Sequence, residues 1–167
     1  MIAELQRWAE QVIGKTETFD LGAIDPLWTQ RYAIAVDDLN PIYFDAEYAR
    51  GLGHRGIVAP PNYLATLRGP QRSGPTDGDL LEDGLSPSAR PPISSLQAMG
   101  GGQSLEFHAP VYCGEVVKVE RTILDVQEKA GRSGPLITIT EKLRYTSASG
   151  EPKLTLRNTL LCRWTEP

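Results

Sequence analysis

Cysteine is scarce in this sequence. Cys113 and Cys162 are the only two in 167 residues, and both sit inside apolar alternations, which points to buried free thiols and excludes a disulfide framework. Histidine is equally sparse: His54 and His108 are too few and too far apart to form a metal-ligand set, so no metal is expected. Positive charge is thin as well. The 17 Lys and Arg residues are outnumbered by 21 Asp and Glu, giving a net charge of −4, and they are scattered, so the basic stripe that nucleic-acid binding requires is missing. No apolar run approaches the ~20 residues of a membrane span, and the opening MIAELQRWAEQVIGK is amphipathic and unlike a signal peptide. A cytoplasmic protein with no membrane partner is the expectation. Phosphate-loop spacing and a dinucleotide glycine fingerprint are also lacking, and no cofactor is expected.

What is present fits one domain with an adequate core, over residues 1–167. Leu5, Trp8, Ala9 and Val12 recur at helical spacing and predict a short amphipathic helix over residues 3–13. Asp25 as cap and Pro26 in the first turn start a second helix, which runs to about Asp37 before Asn40-Pro41 breaks it. Asp45 caps a third, short one that ends at Gly51 and Gly53. Residues 69–103 hold seven Gly and five Pro, against 17 in the rest of the chain, and read as a long irregular excursion. Beyond it a period of two takes over, in LEFHAPVYC, EVVKVERTILDV, LITITEKLRY and KLTLRNTLLCR, with turns at EKAGRSGP and SASGEP. These predict an antiparallel meander of three hairpin-linked strands and a preceding one, with one buried face. The segment from Pro60-Pro61 through NYLATL is the helical candidate to cover that face, and helices followed by such a sheet make an α+β arrangement.

The stretch YAIAVDDLNPIYFDAEYA, residues 32–49, places Asp38 two residues before Asn40-Pro41 in a turn able to display a carboxylate into a cleft. It resembles the motif of the MaoC-like (R)-specific hydratases and dehydratases, Asp-x-Asn-Pro-(Leu or Ile)-His-x-Asp. Asp38, Asn40, Pro41, Ile42 and Asp45 fit, and Tyr43 stands in place of the His. The spacing to GIVAPPNYL, and from there to GGGQSLEF and the strands, is similar to the branch related to the dehydratase domain of type I fatty acid synthases. The resemblance covers roughly residues 20–163. It implies a hot-dog fold, a long helix wrapped by an antiparallel sheet, with two such units pairing as a homodimer or as a heterodimer with a MaoC-like subunit.

The resemblance also implies chemistry on an acyl thioester, carried by coenzyme A or acyl carrier protein. Hydration of a 2-enoyl thioester needs a base for water, an acid for the α-carbon, and donors for the thioester oxygen. Asp38 takes the place of the family's catalytic Asp. Tyr43, with an ordinary pKa near 10, is a poor base but can donate a hydrogen bond and orient water. His54, in the loop entering the central helix, is the candidate substitute, and His108 the weaker one. Asn40, grouped with the substrate-binding residues, most simply pins the turn so that position 38 points inward. Pro60 and Pro61 lack N–H groups, so the amides of Asn62 and Tyr63 are assigned to the thioester carbonyl, with Asp38 and Tyr63 expected in one cleft. An (R)-specific hydratase or dehydratase is the leading expectation. The alternatives are a non-catalytic, acyl-holding subunit of a heteromeric enzyme and, less favoured, an acyl thioesterase.

Overall fold

The computed structural model describes residues 2–67, 91, 93, 96–131 and 134–164. Helix α1 (Ile2–Val12) leads into strand β1 (Thr16–Ala23), followed by α2 (Pro26–Ala35), a 3-10 turn (Pro41–Tyr43), α3 (Ala46–Gly51) and the single turn α4 (Tyr63–Thr66). Four long strands complete the chain: β2 (Leu96–Phe107), β3 (Val116–Gly131), β4 (Gly134–Ser147) and β5 (Pro152–Trp164). All pair antiparallel in one sheet ordered β1-β3-β4-β5-β2, so the α+β hot-dog architecture holds, with helices gathered on the sheet's inner face.

The meander β3-β4-β5 follows the period of two, but three elements depart from the sequence reading. Residues 16–23 form β1, an edge strand bulged at Gly22, where only a connection was expected. Strand β2 starts at Leu96, inside the region read as irregular, and pairs with β5 rather than with the strand that follows it. It ends at Phe107, because Pro110 has no N–H to continue the ladder. The alternation through Cys113 therefore describes a strand only in its first half. The central helix is also short: Leu67 has extended backbone (φ −97°, ψ 103°), so α4 is one turn rather than a long rod. Of the glycine- and proline-rich excursion at 69–103, residues 68–90 lie outside the described residues.

The inner face carries two apolar clusters. One gathers Leu64, Val111, Val119, Leu143, Tyr145, Leu154 and Leu156 under α4, and the other gathers Ile123, Ile137, Ile139 and Cys162 under Leu5 of α1. A polar group lies between them. Glu141 and Asn158 are register partners on β4 and β5. The Asn158 amide donates to Glu141 Oε1 at 2.8 Å, and Arg121 of β3 donates through Nε to Oε2 at 2.6 Å. Both contacts reach Glu141 where burial makes an unpartnered carboxylate costly.

Candidate functional site

The motif segment is built by local hydrogen bonds that the sequence dictates. Asp25 Oδ1 accepts from the Leu27 and Trp28 amides at 2.8 and 3.1 Å and starts α2, with Pro26 fitting a first turn that needs no N–H. The chain leaves the helix through Asp37, held in the left-handed region at φ 57°, and the Asp38 amide donates back to the Ala33 carbonyl at 2.9 Å. Asn40 Oδ1 accepts from the Ile42 amide at 3.2 Å, so its side chain closes the turn. Asp45 then caps α3 through the Glu47 and Tyr48 amides.

This frame brings Asp38 and Tyr43 together. Tyr43 is buried in a small cluster with Ala33 and Val58. Its phenol is pushed above the usual value by burial first, then by the charge of Asp38 and its hydrogen bond to that carboxylate. Across the neutral range the phenol stays protonated and cannot act as a base.

A cavity of about 410 Å³ opens beside this pair and not onto it. Pro60, Pro61 and Leu64 form one wall, Phe107, Ala109 and Leu154 another, and both His54 and His108 face in. Val58 lines the cavity and belongs to the Tyr43 cluster, so the two share that side chain. His54 Nδ1 lies 3.4 Å from the Tyr112 hydroxyl, and His108 Nε2 is 2.9 Å from Thr155 Oγ1. Lys153, which also lines the cavity, centres an ion cluster. Lys153 Nζ meets Glu115 at 2.8 Å, Glu151 at 2.7 Å and the Pro110 carbonyl at 3.0 Å, and Glu115 also pairs with Arg55 at 2.9 Å.

Of the two amides assigned to a thioester oxygen, that of Tyr63 donates to the Pro60 carbonyl at 2.9 Å, closing the turn that starts α4. Tyr63's ring stacks edge-on against Tyr32, with centroids 5.6 Å apart, and its hydroxyl is pushed up to about 12 by burial, then by Asp25 and Cys113. Tyr63 thus looks toward the start of α2, whereas Asp38 follows its end. The residues that sequence reasoning missed are Phe107, Lys153 and Glu115. Lys153 and Glu115 are distant in sequence, and Lys153 falls on the polar positions of the β5 alternation, with Thr155 and Arg157, so no local signal marked it as buried.

Known proteins place this arrangement. The chain matches the family described as the FAS1-like, dehydratase domain region over residues 28–155. An UPF0336 protein of Parafrankia sp. is 31% identical over 138 residues, covering 83% of this chain and 82% of the relative. A mesaconyl-C(4)-CoA hydratase of Chloroflexus aurantiacus is 34% identical over 73 residues, 44% of this chain and 25% of that protein. Among solved structures, the ChsH1-ChsH2 complex of Mycobacterium tuberculosis is similar at a TM-score of 0.74 and 21% identity, covering all of this chain and 95% of the matched one. The (R)-hydratase PhaJ1 of Pseudomonas aeruginosa follows at 0.65 and 20%, covering 96% and 86%. The motif, the hot-dog sheet and a family match over most of the length agree, and this chain belongs to the MaoC-like dehydratases, in their FAS1-like dehydratase branch.

Proposed function

We propose that this chain is the acyl-holding half of a heteromeric MaoC-like hydratase or dehydratase, acting on a 2-enoyl or 3-hydroxyacyl thioester of coenzyme A or acyl carrier protein. Its apolar cavity takes the acyl chain, and a MaoC-like partner brings an intact Asp and His. The observation that carries this reading is the buried Tyr43 phenol, which stands at the motif's His position with its pKa raised by burial and by the charge of Asp38. A hydratase passes a proton through a group that titrates near neutral pH, as an imidazole with pKa ~6.5 does, and a phenol pushed above ~10 cannot take that part. The similarity along the full chain to a subunit of a two-component complex supports the same reading.

A self-sufficient hydratase is the second reading, and one observation favours it: His54 and His108 both face the cavity. Activity toward a panel of 2-enoyl-CoA thioesters separates the two, measured on the lone chain and on the chain co-expressed with a MaoC-like subunit. The lone chain is expected to show no hydration above background, the pair to be active, and Asp38→Asn to leave the pair nearly unchanged. A loss of ~10²-fold or more in the pair on Asp38→Asn would make Asp38 the proton-transfer group and refute the holding role.

A further inference from the structure

The cavity beside the motif has a mostly apolar wall with three exceptions. His54, His108 and Lys153 are the titratable side chains among the described residues that line it; all three are basic, and no carboxylate joins them. In a chain of net charge −4 this is a local inversion of sign. Lys153 is already answered, since Glu115 and Glu151, neither of which lines the cavity, hold its ammonium at 2.8 and 2.7 Å. The two imidazoles are not.

Each imidazole commits one ring nitrogen to a hydroxyl and keeps the other. His54 Nδ1 lies 3.4 Å from the Tyr112 hydroxyl, and its Nε2 has no hydrogen bond among the described residues. His108 Nε2 lies 2.9 Å from Thr155 Oγ1. Its Nδ1 is left with the Glu106 carboxylate at 4.0 Å, beyond hydrogen-bond reach and on a side chain 75% exposed. A hydroxyl that donates to the committed nitrogen puts the imidazole proton on the other one, and a protonated ring carries a proton there as well. In both states the spare nitrogen is a donor.

Two such donors in an apolar wall discriminate between acyl chains. A plain alkyl chain filling the cavity strips water from both and returns no acceptor, whereas a chain bearing a carboxylate returns two acceptor oxygens. The one-sided charge of the wall favours the carboxylate over a neutral oxygen. Apolar pockets use their few polar groups in this way, to choose and orient the ligand. Resting on the acyl-holding role, we infer that the acyl group held here carries a carboxylate on its chain, with His54 and His108 as the residues that select it.

The test is isothermal titration calorimetry on the full-length chain with hexanoyl-CoA and adipoyl-CoA, the same carbon chain without and with an ω-carboxylate. Free coenzyme A is the third ligand, to register what the carrier's phosphates contribute. Adipoyl-CoA is expected to bind about 10- to 100-fold more tightly than hexanoyl-CoA, the scale of a hydrogen bond to a charged group. His54→Leu and His108→Leu, each checked for folding by far-ultraviolet circular dichroism, should weaken adipoyl-CoA and leave or strengthen hexanoyl-CoA, a divergence that a general loss of structure cannot give. Equal affinities of the wild type for the two thioesters, or a preference that survives both variants, would overturn the inference and leave the acyl-holding role standing. Variants that weaken free coenzyme A as much as adipoyl-CoA would assign the imidazoles to the carrier's phosphates and overturn it too. Thioesters that bind no better than free coenzyme A would remove the acyl-holding role, and the inference with it.

Discussion

Lys153→Met removes the ammonium at the centre of the ion cluster on the cavity wall while keeping most of the side chain's volume. The Lys153 side chain is 1% exposed, and its three partners lose unequal amounts. Glu151 is 54% exposed, so that pair is screened and worth ~0–1 kcal/mol. The Pro110 carbonyl loses one hydrogen bond, about 1 kcal/mol. Glu115 is the costly one: its side chain is 8% exposed, and it keeps Arg55 and the Tyr112 amide but loses its fully buried partner. Breaking one side of a buried pair costs ~3–5 kcal/mol, and the surviving Arg55 contact places the expected loss near ~3 kcal/mol, roughly 6–12 °C in Tm for a chain of this size. Burial alone would raise the Glu115 pKa, but Lys153, the Tyr112 amide and Arg55 outweigh it and hold it below the ordinary carboxylate value. Burial would likewise lower the Lys153 pKa, and Glu115 and Glu151 outweigh it and raise it. The cluster's stabilisation is therefore full between the ordinary glutamate and lysine values, ~4.3 and ~10.4. It is lost as pH falls through the depressed pKa of Glu115 or rises through the raised pKa of Lys153. Urea and thermal melts of wild type and Lys153→Met from pH 3 to 8 check this, with the difference largest near neutrality and shrinking in acid. A loss under ~1 kcal/mol at pH 7, or one that does not change toward pH 3, would show that water reaches these charges and would refute the reasoning.

Gly101→Ala should destabilise by ~1–3 kcal/mol, because its Cβ would meet the Thr159 carbonyl oxygen and Leu161 Cγ at 2.9 Å, and a backbone oxygen in the sheet cannot move aside. Gly100→Ala, whose Cβ meets nothing within 4 Å, is the control, and equal urea midpoints for the two would contradict the close approach. Tyr63, raised to about 12 by burial, Asp25 and Cys113, and Tyr43, raised by burial and Asp38, should ionise late in an ultraviolet absorbance titration. Both neutral phenols favour the folded state, so their contribution holds below the ordinary ~10 and is lost as pH rises through the folded values. Tyr63→Phe should delete one late titration step, and a titration it leaves unaltered would place that phenol in water.

What the sequence disclosed was mostly local chemistry. Asp25, Pro26 and Asp45 announce helix starts because a cap needs only its next three residues. The pairing of Asp38 with position 43 follows from a turn that Asn40 closes onto itself. The period of two exposes β3, β4 and β5 because a half-buried strand must alternate. Strand β1 is short and bulged, and β2 carries three successive glycines, a composition that elsewhere means a loop. Only the neighbouring strand shows why β2 tolerates them, since at Gly101 a side chain would strike β5. The convergence of His54 and His108 on one cavity, and the meeting of Lys153 with Glu115, depend on the sheet order, in which β2 crosses to the far side of the meander. That order is a tertiary outcome with no local signature.

The carboxylate-amide pair in the middle of the sheet does something that the apolar pattern cannot. Alternation fixes which face each strand turns inward, yet it is indifferent to a slip of two residues, after which every apolar side chain still points to the core. Glu141 and Asn158 are not indifferent. Sliding β4 along β5 by two residues in either direction puts Glu141 opposite Leu156 or Leu160, a buried charge among aliphatic groups that has lost an amide donor. Such a mismatch costs several kcal/mol, comparable with the stability of an ordinary domain. A single polar pair between two greasy halves thus works as a key in a keyway: it contributes little to how firmly the strands adhere, and it determines the one alignment in which they can close.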